Sequence, residues 1–96
     1  MNQWITNPVP AVPLNALRAF EAAARNMSIK QAALELHLTP SAVSHRLRQL
    51  ELTLGCQLLR REGSRLQLTE NGKRLAPDLT EGFARILSAL RKVRQG

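Results

Sequence analysis

Two helix-start signals eleven residues apart constrain the fold of this chain more than any other feature. Ser28 is followed three residues later by Gln31, a capping-box signature in which a hydroxyl accepts a hydrogen bond from the first turn. Thr39 followed by Pro40 is the second signal, since threonine caps helices and proline suits the first helical position. His37 lies where a tight turn needs a left-handed backbone, which histidine adopts more readily than most residues. Two helices joined by a tight turn are therefore predicted.

Apolar residues at intervals of three or four predict three consecutive helices between residues 14 and 54. Gly55 should end the third, because glycine tolerates the positive φ of a C-terminal cap. Helices connected in this way form a helix-turn-helix. The predicted buried residues are Leu14, Leu17, Phe20 and Ala24 in the first helix, Ile29, Ala32, Ala33 and Leu36 in the second, and Val43, Leu47, Leu50 and Leu54 in the third.

A change of period marks the next segment. Leu66 and Leu68 alternate with polar residues, which is the two-residue repeat of a strand. Residues 62–64, "EGS", are a plausible hairpin tip between "QLLRR" and "RLQLT". A short two-stranded ribbon with an arginine-rich tip is predicted.

The last segment predicts one long helix, capped by Thr69 and ending at about Gln95. Pro77 lies inside it, which predicts a kink or a frayed first turn. Its apolar stripe is close to a coiled-coil seam, and so small a domain has little surface left to cover it. We therefore expect a partner chain along the seam, formed by Leu75, Leu79, Phe83, Ile86, Leu90 and Val93.

The remaining residues, 1–13, contain three prolines and no charged side chain, so a flexible, irregular leader is expected. Trp4 either packs back onto the domain or belongs to this leader alone. The whole chain has 96 residues, enough for one domain. The predicted divisions are a leader at 1–13, a helix-turn-helix domain with its ribbon at 14–68, and a pairing helix at 69–96. Leucine and alanine outnumber aromatic residues, which favours a mainly α fold.

The charge balance indicates a polyanionic partner. Fourteen Lys and Arg residues stand against seven Asp and Glu residues, giving a net charge of +7. Nucleic acid and an anionic membrane surface both fit such an excess, and solubility alone is the weaker alternative. Residues 40–68 contain five arginines and two glutamates.

The outward face of the third helix carries side chains able to read DNA bases. Arginine and histidine can bind guanine acceptors, glutamine can bind adenine, and serine can bind either base. Its N-terminal N–H groups can also bind a phosphate. A solvated face usually mixes charge signs, yet this face contains no acid. It comprises Ser41, Ala42, His45, Arg48 and Gln49.

Other function classes fit poorly. The single Cys56 excludes an internal disulfide and cannot alone form a zinc site, so a reducing cytoplasmic location is the default. It is either a redox sensor or, more in keeping with its surroundings, a small core residue. His37 and His45 stand eight residues apart with no nucleophile–base grouping, so we expect no enzyme, cofactor or metal site. Every apolar run is too short to span a bilayer.

The run "QAALELHLTPSAVSHRLRQLE…LG…LLRR…LTENG", within about residues 14–94, resembles the N-terminal DNA-binding domain of LysR-type transcriptional regulators. "FEAAAR" and "AVSH" are similar to their glycine-cleavage-activator-like branch. The resemblance implies a winged helix-turn-helix (three helices and a two-stranded β wing) followed by a long linker helix that pairs two subunits. It further implies a homodimer on an inverted repeat in double-stranded DNA, often with a T-N11-A core.

Carried over by position, the resemblance implies a recognition helix at about 40–54 in the major groove and a wing at 60–66 against the backbone or minor groove. Many relatives have Gln-Pro where this chain has Pro40-Ser41, arginine at His45 and phenylalanine at Leu59. Its operator therefore cannot be copied from them. The implied base readers are Pro40, Ser41, Ser44 and His45, and the implied backbone and wing contacts are Ser28, Lys30, Gln31, Thr39, Arg48, Arg61 and Arg65.

Family members continue into an effector-binding domain, whereas this sequence stops at Gly96, so we expect no small-molecule effector to bind this segment. The main alternative is a stand-alone protein-interaction module that heterodimerises with a full-length regulator. A basic wing beside a basic helix face favours DNA over that alternative. A third option places the final helix on an anionic membrane, against which Asp78 and Glu81 argue.

Overall fold

A computed structural model describes residues 12–63 and 65–96. Over these residues the predicted order of three helices, a ribbon and a long final helix is confirmed. The expected leader, Trp4 included, lies outside the described residues except for its last two positions. In chain order the elements are α1 (Leu14–Asn26), α2 (Ile29–Leu36), α3 (Pro40–Leu54), β1 (Leu59–Glu62), β2 (Arg65–Leu68) and α4 (Glu70–Gln95).

Hydroxyl caps start three of the helices, as the sequence predicts. Ser28 Oγ accepts a hydrogen bond from the Gln31 N–H at 3.0 Å, and Thr39 Oγ1 accepts one from Ala42 at 3.1 Å. Thr69 does the same at the start of α4. Each cap satisfies an amide that would otherwise lack an intrahelical partner, so the helix boundaries are set locally.

Left-handed residues end the first three helices. The φ angle is 57° at His37 and 73° at Gly55, where the sequence predicts such a backbone. Met27 also adopts one, with φ of 49°, which its side chain does not predict. In the turns at Met27 and His37, the residue that follows donates its N–H back to the preceding helix. Ser28, for example, donates to the Ala23 carbonyl. Both connections into the helix-turn-helix are thus tight turns.

Helix α1 lies at the centre of the core and contacts α2, α3 and α4. Its predicted stripe is only partly right: Phe20 is fully buried, whereas Leu14 is 60% exposed. The reason is that α1 is covered on several sides, which buries alanines outside the stripe. Small alanine side chains let the neighbouring helices approach closely. The core comprises Ala16, Ala19, Phe20, Ala22, Ala23, Ala24, Ala32, Ala33, Val43, Leu47, Leu50 and Leu58.

Strands β1 and β2 pair in antiparallel register, with Leu59 opposite Leu68 and Glu62 opposite Arg65. The predicted three-residue tip is therefore wrong at Glu62, which belongs to the ladder. Gly63 takes the positive φ of 61° that the reversal requires, and its neighbour at position 64 lies outside the described residues. The ribbon is short, so its position depends on contacts at its base.

Thr69 connects the base of the ribbon to α4. Its N–H donates to the Leu58 carbonyl at 3.0 Å, and its hydroxyl donates to the Gln57 carbonyl at 2.6 Å. The same hydroxyl oxygen accepts the Gly72 N–H at 3.1 Å. A Cβ at Gly72 would overlap the Leu58 carbonyl oxygen, so only glycine allows this close approach.

Helix α4 is unbroken through Pro77, and its first turn is closed by the bond from the Lys73 N–H to the Thr69 carbonyl. The expected frayed first turn is therefore wrong. Its first half packs against the domain core, whereas in its second half Ile86 and Leu87 are half exposed and line an open cleft shared with Leu14, and Leu90 and Val93 are exposed beyond them. The helix thus has a buried base and an exposed arm.

Candidate nucleic-acid interface

Helix α3 divides into two faces. Val43, Leu47 and Leu50 are buried, as the 3.6-residue period predicts. The opposite face presents polar side chains to solvent, while Ala42 and Ser44 are half-buried at its edges. The prediction of two faces is confirmed, whereas base reading by the outer one stays a prediction. The exposed residues of that face are Pro40, Ser41, His45, Arg48 and Gln49.

The ribbon contacts the edge of this face through Arg61. Its Nη2 donates to Ser44 Oγ at 3.5 Å, which is at the long limit for a hydrogen bond. Ser44, Arg48 and Arg61 line one shallow cleft between α3 and the ribbon, in which Glu51 is the one acidic residue. Since a guanidinium carries five N–H donors, Arg61 keeps most of its donors for another partner.

A second cleft lies between the start of α2, the start of α3 and the ribbon. Lys30, Arg61 and Arg65 line it together with Ser28 and Pro40, and its lining contains no acidic residue. The N-terminus of α2 adds the positive end of a helix dipole. Five of the predicted contact residues are thereby brought together around a surface suited to a phosphate.

The other predicted contact residues lie beside these clefts. Gln31 is exposed on the first turn of α2, and Thr39 is exposed at the start of α3. The Thr39 oxygen already accepts the Ala42 amide, although its hydroxyl proton can still be donated. Ser41 and His45 lie on the outer face of α3 rather than in either cleft lining. The predicted contact residues therefore either line one of the two clefts or are exposed on the same elements, α2 and α3.

Sequence reasoning missed the role of Glu51 in holding the ribbon. Its Oε2 accepts the Leu58 N–H at 2.7 Å and the Leu59 N–H at 3.2 Å. One carboxylate oxygen thus fixes the first residues of the ribbon to α3. An acid near a helix C-terminus is unfavourable with the helix dipole, and this was the available signal of another role.

The cations of this side form no ion pair among the described residues. Among residues 12–63 and 65–96, ion pairs join Arg25 to Glu21 and to Glu35, and Lys73 to Glu70. Arg48, Arg61 and Arg65 take part in none of these. Their positive charge is therefore available to an anionic partner.

A second polar cluster, which the sequence analysis also missed, joins three helices. Arg25 on α1 donates to Glu21 and, on α2, to Glu35. Thr80 on α4 donates its hydroxyl to Glu21 at 2.8 Å. The hydrogen bond from Arg25 holds the pKa of the Glu21 carboxyl below its usual value although burial opposes it, and Arg25 lowers the pKa of Glu35 similarly. Both carboxylates therefore stay charged beside a charged guanidinium.

The predicted seam on α4 has two parts. Leu75 and Leu79 are partly buried against the core of their own domain, and Phe83 is half-buried. Further along, side chains are 50% exposed at Ile86 and 79% exposed at Val93. The portion that another chain could cover therefore begins near Phe83 and includes Leu87, which lies outside the predicted stripe, and Leu90.

Cys56 is half-buried and packs against the core, as a small hydrophobic residue would. Among the described residues, no cluster of His, Cys, Asp and Glu could hold a metal ion. None of the described helices combines the length and apolar character needed to cross a membrane. The notable surface of the described chain is thus the cationic side formed by α2, α3 and the ribbon.

A family comparison matches this architecture. Residues 14–73, from the start of α1 to the first turn of α4, match the "Bacterial regulatory helix-turn-helix protein, lysR family". The chain belongs to the lysR family. The resemblance carried by the α2–α3 motif is therefore confirmed, and so is the winged helix-turn-helix fold with its long final helix.

Two curated lysR-type relatives are transcriptional activators. The carbapenem-hydrolyzing β-lactamase transcriptional activator of Serratia marcescens is 48% identical over 85 residues, which are 88% of this chain and 29% of the relative. The glycine cleavage system transcriptional activator of Escherichia coli K12 is 48% identical over 81 residues, 84% of this chain and 27% of the relative. The chain thus spans less than a third of the length of these proteins.

Among solved structures, the chain is similar to the complex of BenM_DBD with catB site 1 DNA. The TM-score is 0.71 at 28% identity, over 88% of this chain and 97% of that one. Nearly the whole of that DNA-bound domain thus has a counterpart in this chain.

Proposed function

We propose that this chain binds double-stranded DNA in a sequence-specific manner as the DNA-binding part of a LysR-type transcriptional regulator. The observation that carries the proposal is the cationic side of the molecule, where the acid-free face of α3 adjoins the ribbon through Ser44 and Arg61. Helix α3 enters the major groove, and the ribbon lies at the neighbouring backbone or minor groove. The similarity to a BenM domain solved in complex with DNA supports DNA binding.

Base reading falls to the start of α3. Ser41, Ser44 and His45 offer hydrogen-bonding groups to base edges, and the Pro40 ring offers an apolar contact such as a thymine methyl. The cleft at the α2 N-terminus binds phosphate, which fixes the position of the helix in the groove without reading sequence. The backbone contacts are Ser28, Lys30, Gln31, Thr39, Arg48, Arg61 and Arg65.

Two copies of the chain pair through α4 and bind DNA together. The exposed arm of that helix presents a row of apolar side chains to water, from Ile86 to Val93, and an identical arm is a complementary cover. In such a dimer the two α3 helices enter successive major grooves about one DNA turn apart, which is the geometry of an inverted repeat. Leu75 and Leu79 then support the arm from within their own domain, and the seam proper runs from Phe83 to Val93.

These assignments give the two parts of the chain different functions. Residues 14–68 bind DNA, residues 69–96 pair the subunits, and the protein acts in the cytoplasm without catalysing a reaction. A small-molecule effector binds outside these two parts, because the clefts near α3 are used for DNA.

The rival proposal is a protein-interaction module that heterodimerises with a full-length regulator. The exposed arm of α4 supports it, since the same seam could accept a related helix. The cationic clefts favour DNA, because an apolar seam partner does not require them.

Selection from random-sequence duplexes tests the proposal. We expect one inverted-repeat sequence to enrich, and its affinity to fall steeply with salt because phosphate contacts release counterions. A scrambled duplex of the same composition is the control. Equal affinity for the selected and scrambled duplexes would refute sequence-specific binding and leave the protein-interaction module as the better account.

A further inference from the structure

We propose that the hydrogen bond between Thr80 and Glu21 is a positioning contact that sets the half-site spacing recognised by the dimer. It would do so by fixing the direction in which α4 leaves the domain. This inference rests on the proposed function, namely that two chains paired through α4 read two half-sites.

The contact joins elements that are distant in sequence. Glu21 on α1 is 8% exposed, and its Oε2 accepts the Thr80 hydroxyl at 2.8 Å across 59 residues of sequence. Arg25 donates to both oxygens of the same carboxylate, at 2.9 and 3.0 Å, and also binds Glu35 on α2. A carboxylate this enclosed requires its donors, so the network ties α4 to the two helices that carry α3.

The hydrogen bonds of Thr69 hold the start of α4, whereas the side-chain packing between Thr69 and Thr80 is apolar. Leu75, Ala76 and Leu79 pack on the core through apolar surface, which is non-directional. Packed helices can slide by small shear movements, whereas a hydrogen bond restricts both distance and angle. Among the described residues, Thr80 is the last residue of α4 whose side chain hydrogen-bonds to the rest of the domain, and it precedes the arm that begins near Phe83. It is therefore placed where the direction of the arm is decided.

A small change of direction at Thr80 has a large effect at the seam. The arm from Thr80 to the end of α4 at Gln95 is about 22 Å long at 1.5 Å per residue. A tilt of about 10° displaces its end by about 4 Å, which is comparable with the roughly 3.4 Å between successive base pairs. Losing the contact should therefore relax the half-site spacing by about one base pair.

The test compares Thr80→Val, which keeps the shape and removes the hydroxyl, with Thr80→Ser, which keeps the hydroxyl. The probes are the duplex enriched by the unaltered chain and versions with one or two base pairs added or removed between half-sites. We expect the unaltered chain and Thr80→Ser to prefer one spacing by about tenfold or more, the scale of one hydrogen bond to a charged group. Thr80→Val should bind neighbouring spacings within about threefold of its best one.

A purely structural role for Thr80 predicts something different, namely equal loss of affinity at every spacing with no change of preference. That result, or an unchanged spacing profile in Thr80→Val, would overturn the inference. If Thr80→Val folds poorly in a thermal melt, Thr80→Ala repeats the test with a better helix former. Failure of the unaltered chain to prefer any sequence would instead overturn the proposed function itself.

Discussion

Oε2 of Glu51 lies 2.7 Å from the backbone nitrogen of Leu58, so a helix side chain holds the start of the ribbon. Glu51→Ala removes the acceptor of two amides, and we expect a loss of about 1–3 kcal/mol in the free energy of unfolding. Glu51→Gln keeps a carbonyl acceptor and should lose less. Chemical denaturation of both variants measures the difference, with the exposed Glu62→Gln as control; equal stability of all three would contradict this role.

Gly72 and Gly82 form a matched pair within α4. Alanine at Gly72 would drive its Cβ into the Leu58 carbonyl oxygen, so we expect Gly72→Ala to destabilise the domain by about 1–3 kcal/mol. No atom lies within 4 Å of a Cβ at Gly82, and there alanine should stabilise the helix by about 0.5–1 kcal/mol. Thermal melts of the two variants should therefore shift in opposite directions. Shifts of the same sign would show that the close approach at Gly72 is unimportant.

His45 is exposed on the outer face of α3, near the start of the helix. Replacing it with alanine should reduce discrimination at one base pair of each half-site by about 1–3 kcal/mol while preserving non-specific binding. The measurement is a set of affinities for operators with single base-pair changes. Gln95→Ala, far along α4, is the control. A uniform loss of affinity for every operator would assign His45 to the DNA backbone instead.

Arg61 should behave differently, because we assign it to a phosphate. Arg61→Ala should weaken binding to all sequences alike and lower the slope of log affinity against log salt by about one. Arg91→Ala removes the same charge from the exposed arm of α4 and should leave the slope nearly unchanged. If the two variants give the same slope, net charge alone explains the effect and the clefts are not the site.

Leu90 tests the seam without disturbing the core, since 56% of its surface is exposed. Leu90→Asp places a charge within the proposed apolar contact and should convert a dimer into a monomer at micromolar concentration. Ser88→Asp adds the same charge on another face of α4 and should leave the dimer intact. Light scattering gives the mass of each. Dimers in both variants would place the subunit contact elsewhere.

Periodic and capping patterns predict the elements of this fold well, because they depend on residues close in sequence. The division of α3 into a face with Val43 and a face with His45 needs only the helical period. Contacts between elements are harder to predict. Glu21 sits in an alanine-rich run where the stripe suggests solvent, and only the approach of α4 gives it Thr80 as a donor.

The same limit applies to the candidate interface. Its residues follow from the family motif and the outer face of α3, but their convergence depends on the ribbon. The contact of Arg61 with Ser44 crosses 17 residues and has no local signature. Met27 is a further case, since it takes a left-handed backbone, closed by hydrogen bonds back to α1, although its residue type does not favour it.

Thr69 makes the base of the ribbon and the start of α4 a single corner. One hydroxyl donates to the Gln57 carbonyl before the ribbon and accepts the Gly72 amide inside the helix. Thr69 is the single residue between the end of β2 and the start of α4, so no flexible linker separates the two elements. In the proposed dimer, a displacement of the ribbon on binding DNA should therefore also move the start of α4, the helix through which the two subunits would pair.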